Sequence, residues 1–382
     1  YLARKGYGVT ILEALPVSGG MMRAGIPDFR LPRQVLDSQV NRILDLGVEV
    51  KYNTPVGPGL TIDDLLKDYK AVFVAVGAQK SAGLGIEGES LKGVRPGIEF
   101  IKQVNLGENV PIGSKVAVIG AGNAAMDIAR TALRLGAKDV TVVYRRTKRE
   151  MPADPVEVED AISEGVKFVF LTNPKRFVGR DGVLTGIECL KMQLSDERDA
   201  SGRRRPVPVE GSEHILEFDE AILATGQQPD LGFCEGTDLE LNKWGLLKVD
   251  PITLATNKAG VFAGGDVCAG AGTLSEAVAA GIRAAESIHR FINGQDLAEG
   301  REPETKPRID CVTGKINLEY LKATPLGVEL TILGRVEGEL ARKSRVLCEI
   351  WAGDVLTVKA DSIFVRVDTA ELSARANASK IR

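Results

Sequence analysis

The sequence predicts an α/β fold: two strand–helix–strand units, followed by a small β-rich C-terminal segment. Three observations carry this. Short apolar runs that end in glycine alternate with amphipathic helical stretches in two separate cycles. A glycine-rich turn at Gly120 sits between a strand pattern and a helix pattern. Beyond Gly294 a charged, proline-bearing stretch gives way to period-two alternation.

In the first cycle, residues 9–12 form a β-rich run that ends in Glu13. Over residues 32–46, Leu36, Val40, Ile43 and Leu44 share one helical face, with Pro32 suited to the first turn and Gly47 to the stop. Residues 48–52 read as a strand and 63–69 as a short helix. Residues 71–76 read as an apolar strand, buried on both faces of a parallel sheet, that ends at Gly77. The second cycle places a strand at 116–119, a helix at 123–135 closed by Gly136, and a strand at 140–144. Residues 168–223 read as short β segments around a polar loop at 195–205. Residues 261–292 read as a strand, a glycine-rich turn and a long alanine-rich helix. Residues 295–307 have linker composition, and 315–367 read as strands with a hairpin turn at Ala352, Gly353 and Asp354.

The chain of 382 residues can bury two domains and a small third one. Its 44% hydrophobic and 26% charged content is that of a globular protein rather than a disordered one. A net charge of −3 offers no basis for a nucleic-acid or anionic-membrane partner. No long apolar span predicts membrane insertion, and a cytoplasmic setting is expected. The five cysteines contain no C-x-x-C pair, which excludes a local redox dithiol, and no metal site is expected. The first residue is Tyr1 rather than methionine, which points to a segment upstream.

The strongest local motif is Gly120-Ala121-Gly122-Asn123-Ala124-Ala125, a G-x-G-x-x-A directly after a strand and opening a helix. Gly120 permits the tight turn and Gly122 admits a pyrophosphate close to the backbone. Ala125 lets helix and strand approach, and the helix N-terminus offers amide N–H groups to phosphate. The next strand ends in Arg145 and Arg146, with Lys148 and Arg149 close behind. A carboxylate at that point would accept from the ribose hydroxyls of NADH, whereas guanidinium groups grip the extra 2′-phosphate of NADPH. Glu13, followed by Gly19 and Gly20, has the opposite chemistry and suits an adenosine ribose. Gly264, Gly265 and Asp266 follow another strand, and Thr273 opens the long helix. There the carboxylate suits ribityl hydroxyls and the helix dipole suits the pyrimidine end of a flavin.

Together these motifs resemble the flavin half of the glutamate synthase small-subunit family. The matching strings, in order, are EALPVSGG (13–20), GIPDFRLP (25–32), AVG (75–77), GAGNAAMD (120–127), YRR (144–146), MPA (151–153), ATGQ (224–227) and GGD (264–266). The resemblance runs from residue 1 to about 294. It implies an FAD-binding domain (1–95 and 229–294) interrupted by an NADPH-binding domain (96–228), both Rossmann-like. Residues 295–310 are then a linker and 311–382 a β-rich segment. It also implies FAD contacts at Glu13, Gly20, Met22, Gly77, Gly265 and Asp266, with Thr273 near the isoalloxazine. NADPH contacts fall on Gly120, Gly122, Asn123, Ala124, Arg145, Arg146 and Gly226. The implied partner is an iron–sulfur or other redox subunit, and no side chain is expected to act as a catalytic acid, base or nucleophile.

The sequence departs from that family in lacking the opening glycine-rich loop and the upstream cysteine-rich segment. Residues 316–327 and the strands after them resemble the second half of a hotdog-fold acyl-CoA thioesterase, without its long helix or carboxylate. A half-sheet of that kind would favour self-association. Two further functions stay open at this level: a nucleotide-binding scaffold without flavin, and a thioesterase-like C-terminal module. A yellow protein bleached by NADPH excludes the former, and absence of thiol release from acyl-CoA excludes the latter.

Overall fold

The computed structural model describes residues 1–199, 202–302, 311–320, 330–340 and 343–366. The chain divides into two compact units, Tyr1–Arg301 and Glu302–Arg382. Of the expected linker at 295–310, residues 295–301 belong to the first unit and 303–310 lie outside the described residues.

The first unit begins with β1 (Thr10–Leu12), α1 (Gly20–Ala24), α2 (Arg33–Leu44), β2 (Glu49–Lys51), α3 (Ile62–Asp68) and β3 (Val72–Val74). It continues through β4 (Lys80–Ser81), β5 (Val94–Pro96), α4 (Gly97–Asn105), β6 (Lys115–Ile119), α5 (Asn123–Arg134), β7 (Asp139–Tyr144), α6 (Pro155–Ser163) and β8 (Lys167–Phe170). Then come β9 (Thr172–Arg180), β10 (Val183–Arg198), β11 (Arg204–Pro208), β12 (His214–Leu216), β13 (Glu220–Leu223), β14 (Gln227–Gln228), β15 (Val261–Ala263), α7 (Asp266–Ala269) and α8 (Leu274–Ile292).

Strands β5, β13, β6, β7 and β8 form a five-stranded parallel sheet in that order. Alternation along β6 explains why it is buried on both faces. Val116 and Val118 pack with Phe100, Met126, Ile128 and Val158 of the helices. Ala117 and Ile119 pack with Phe177, Leu184 and Ile187 of the antiparallel sheet built by β9, β10, β11 and β12. The apolar runs of this region are therefore continuous rather than alternating.

The remaining parallel strands form two separate ladders, β1 with β2 and β3 with β15. Leu12, Ile62, Leu65, Val74, Val261 and Val267 share one apolar cluster, which holds β1, α3, β3, β15 and α7 together. Helix α3 starts with a capping box: Thr61 accepts from the Asp64 N–H and the Asp64 side chain accepts from the Thr61 N–H. Helix α8 starts with a second box, between Thr273 and Glu276. The chain passes between the two sets of strands twice, and the two passages pair antiparallel, Gln227 with Ser81 and Gln228 with Lys80.

The expected loop at 195–205 is corrected to the end of a long hairpin. Strand β10 runs to Arg198, and β11 resumes at Arg204. Its outer residues are polar on both sides, so the apolar alternation that marks a half-buried strand is missing there. Helices α4 and α6 are additions to the expected elements. The second unit holds β16 (Cys311–Tyr320), β17 (Leu330–Leu340), β18 (Lys343–Ala352) and β19 (Val355–Arg366), an antiparallel sheet of order β16-β19-β18-β17. The expected turn is present, with Gly353 at φ +57° between paired Ala352 and Val355. A four-stranded antiparallel sheet is common to many folds and carries nothing specific to a hotdog domain. No described helix is long and apolar enough to cross a membrane.

Candidate functional site

The loop from β6 to α5 has the build of a phosphate cradle. Gly120 adopts φ +130°, and a Cβ there would lie 2.2 Å from the carbonyl oxygen of Ala224. Only glycine fits, because both the conformation and the neighbouring strand end forbid a side chain. At Gly122, by contrast, a Cβ would meet only the Pro152 ring at 3.9 Å. That open space lies where the loop enters α5, and no side chain caps this helix. The amides of Asn123 and Ala124 belong to the first turn of α5, next to Gly122, where backbone N–H groups have no acceptor within the helix. The Asn123 carboxamide oxygen accepts from the Asp154 N–H at 2.8 Å and ties down the loop after Met151. The residues present thus fit a diphosphate. Gly226, at φ +134°, follows the neighbouring strand β13, and its carbonyl accepts from the Ala82 N–H at 3.0 Å. Gly120, Gly122 and Gly226 therefore share the carboxyl edge of one parallel sheet, where β6 lies between strands reached in opposite chain directions.

Arg145 and Arg146 follow β7 at the same edge but differ in state. Arg145 is exposed, whereas Arg146 is 3% exposed. The Arg146 guanidinium donates to Asp199 Oδ2 at 2.6 Å and to the Arg204 carbonyl at 2.8 Å. Arg204 in turn donates twice to Glu150 Oε1, at 2.8 and 3.1 Å. Burial works to raise the Glu150 pKa, but hydrogen bonds from Thr147 and Arg204 hold its carboxyl below the ordinary range. The β10–β11 hairpin is thereby clamped onto the loop after β7. A cavity of about 400 Å³ lies between them, lined by Arg145, Arg146, Glu197, Arg198, Asp199, Arg205 and Pro206.

The residues expected to face a flavin lie on the other strands. Gly77, at φ +69°, follows β3, and Gly265, at φ +77°, follows its parallel partner β15. These two turns and Asp266 thus share one strand-end edge. Asp266 Oδ1 accepts from the Gly272 N–H at 3.2 Å, and burial pushes its carboxyl above the ordinary range. Glu13 follows β1, and its carboxylate accepts from the Leu15 N–H at 2.9 Å. Gly20, at φ +51°, opens α1, which also holds Met22, and Arg33 donates to the Met22 carbonyl at 3.4 Å. Thr273 is exposed, and its hydroxyl is engaged in the cap of α8. The acceptors Glu13 and Asp266 fit the hydroxyls of a flavin dinucleotide.

Sequence reasoning missed the ion network that joins the two sets of strands. Arg30, from the 25–32 motif, donates to Asp127 Oδ2 of α5 at 2.7 Å and pairs with Glu157 at 3.1 Å. Arg130 links Glu157 to Glu164, Arg134 pairs with Glu164, and both guanidinium groups stack over Phe29. Burial pushes the Asp127 carboxyl up to about 6, and its Oδ1 has no partner among the described residues. Glu164 is held at about 2 by hydrogen bonds from Arg134 and Arg130. A signal for this network was present: GIPDFRLP and GAGNAAMD each carry one partner of a single ion pair, the partly buried Arg30 and the buried Asp127. The hairpin cations were also missed, although Arg203, Arg204 and Arg205 are consecutive.

Other reactive groups have structural partners. His289 Nδ1 shares a 2.7 Å hydrogen bond with the Tyr7 hydroxyl, and His214 Nδ1 lies 3.0 Å from the Ser212 carbonyl. Burial pushes the Cys189 and Cys268 thiols up to about 12, far from thiolate reactivity. No cluster of metal-binding side chains occurs among the described residues.

Comparison with known proteins places this geometry. The family model described as pyridine nucleotide-disulphide oxidoreductase matches residues 34–284. The NADP(+)-dependent formate dehydrogenase subunit beta of Moorella thermoacetica is 47% identical over 312 residues, which cover 81% of this chain and 43% of that protein. The glutamate synthase [NADPH] small chain of Azospirillum brasilense is 36% identical over 304 residues, or 76% of this chain and 63% of that one. The chain thus spans about half the length of these curated relatives. Among solved structures, Mycobacterium tuberculosis FprA in complex with NADPH superposes with a TM-score of 0.61 at 20% identity, covering 75% of this chain and 78% of that chain, a likeness of fold. With its paired strand-end edges and its matched sequence, the chain belongs to the pyridine nucleotide-disulphide oxidoreductase family, among the relatives of the glutamate synthase small chain.

Proposed function

We propose that this chain is the dinucleotide-binding part of a flavin-dependent oxidoreductase. Residues 96–228 hold NADPH, residues 1–95 and 229–294 hold FAD, and residues 311–382 form a separate β-rich module. When both groups are bound, their chemistry is hydride transfer from NADPH to FAD and onward delivery of electrons to a partner carrier. The observation that carries this reading is the β6–α5 loop, with bare Gly122 beside the uncapped helix and Arg145 at the end of the next strand.

The chain's own residues bind, orient and exclude water. The α5 amides and Gly122 receive the NADPH pyrophosphate, Asn123 and Ala124 line its path, and Gly226 leaves room on the neighbouring strand. Arg145 and the buried Arg146 set the preference for the 2′-phosphate. Glu13 accepts from the adenosine ribose of FAD and Asp266 from its ribityl chain. Gly20, Met22, Gly77 and Gly265 bring backbone close to FAD, and Thr273 stands near the isoalloxazine. No side chain serves as acid or base, because positioning two rings is the whole task.

The partner proposed is an iron–sulfur or other redox subunit, and the setting proposed is the cytoplasm. That the Moorella relative is named as a subunit of a formate dehydrogenase supports a partner of this class. The test is an anaerobic titration of the chain mixed with FAD. Retained yellow colour that bleaches with NADPH, and less readily with NADH, is expected. A chain that binds neither nucleotide sinks the reading.

A further inference from the structure

The cavity beneath the β10–β11 hairpin contains four arginines and two carboxylates: Arg145, Arg146, Arg198 and Arg205 against Glu197 and Asp199. These groups differ in how far they are committed. Arg146 is buried and spends its guanidinium on Asp199 and on the Arg204 carbonyl. Arg198 donates to the Gly202 carbonyl at 2.6 Å and so closes its own turn. Arg145 is exposed, and among the described residues the Arg205 guanidinium meets only an exposed Glu197 at 3.4 Å, a contact that water and salt weaken. The formal surplus of two positive charges matches one phosphate monoester dianion.

We propose that the hairpin is the second wall of the 2′-phosphate site, with Arg205 gripping the phosphate opposite Arg145. Arg146 is then a positioning residue: through Asp199 it holds the hairpin down so that Arg205 reaches the cavity. Nucleotide choice is thus set by two strand ends distant in sequence, β7 and β11. This deepens the reading of residues 96–228 as an NADPH site and rests on it.

Calorimetric titration of the full chain with adenosine 2′,5′-bisphosphate and with adenosine 5′-diphosphate separates the two claims. The unmodified chain is expected to prefer the 2′-phosphorylated probe. Equal affinity for both probes overturns the NADPH reading itself. Given that preference, Arg205→Ala is expected to weaken the 2′-phosphorylated probe by about tenfold or more, the worth of one charge-assisted hydrogen bond, and to leave the other within about twofold. Arg205→Lys is expected to retain part of the preference, which excludes a general loss of folding. An Arg205→Ala chain that keeps the full preference overturns the inference and leaves the NADPH reading standing. Asp199→Asn distinguishes positioning from direct contact, because it removes a negative charge from the cavity while loosening the clamp. A reduced preference supports the positioning role of Arg146. A raised preference means that Arg146, once released, binds the phosphate itself, and overturns that role.

Discussion

The two sets of strands in the first unit solve the same problem with unequal means. One is a continuous five-stranded sheet, covered on both faces, whose glycine loop, helix N-terminus and arginines converge on one edge. The other is two ladders of two strands each that do not join among the described residues. Its candidate ligands are single acceptors and bare turns rather than an amide cradle, and apolar Ile11 and Val76 are 42% and 37% exposed. Among the described residues, the features that suit a phosphate lie at the edge of the sheet, and those at the ladder ends suit sugar hydroxyls. A mutation that enters the packed part of the sheet is therefore expected to damage the fold, and one that only fills the open space at its edge to damage binding alone.

The sharpest way to break that contrast is Gly120→Val. The added Cβ meets the Ala224 carbonyl at 2.2 Å from a left-handed backbone, so a loss of about 3–5 kcal/mol in unfolding free energy is expected, read by denaturant titration. An unchanged midpoint would show that the loop is looser than described. Arg30→Ala comes next. It strips a nearly buried Asp127 of its cation, and about 2–3 kcal/mol should be lost. Pairing it with Asp127→Asn should recover much of that loss, and a double variant as unstable as the sum would sever the proposed link.

Gly122→Ala sharpens the comparison by separating binding from folding. No clash or strained φ opposes the methyl, so the melting temperature should hold within a few degrees. NADPH affinity should fall by about tenfold or more, as the methyl fills the space proposed for the pyrophosphate. Equal losses in both quantities would refute the cradle.

The smallest effect concerns acid. Glu164 titrates at about 2 in the folded chain, below its ordinary 4.5, so its stabilisation is complete above about pH 4.5 and fades as pH falls toward 2. Asp127 runs the other way. Its carboxyl is raised to about 6 from 3.8, so its ionisation costs stability fully above pH 6 and not at all below about 4. Glu164→Gln should flatten the acid arm of a stability–pH profile by about 1 kcal/mol, and Asp127→Asn should leave that arm unchanged.

What could be read in advance follows the strength of local chemistry. Strand β6, helix α5 and strand β7 were legible because a buried parallel strand, a G-x-G-x-x-A turn and an amphipathic helix each leave their own mark. Strand β15 with helix α8 was legible for the same reason. Strands β4 and β14 are two residues each and leave no pattern to read. Helix α6 did leave one, with Asp154 accepting from the Val156 N–H and Pro155 at the first position, but its modest apolar face passed as loop. The candidate site residues were read as a set of contacts, and the structure divides them. Arg145 and Arg146 are adjacent in sequence, yet one faces water and the other is locked under a hairpin. Such a division depends on Asp199 and Arg204, more than fifty residues away, and no local pattern encodes it.

The paired passages between the ladders and the sheet have a consequence for how such chains are assembled over time. Ala82 and Gly226, which flank the stretch 83–225, touch through a backbone hydrogen bond. A segment whose ends already meet can be lifted out or exchanged as a cassette, because the host need close only a gap one hydrogen bond wide.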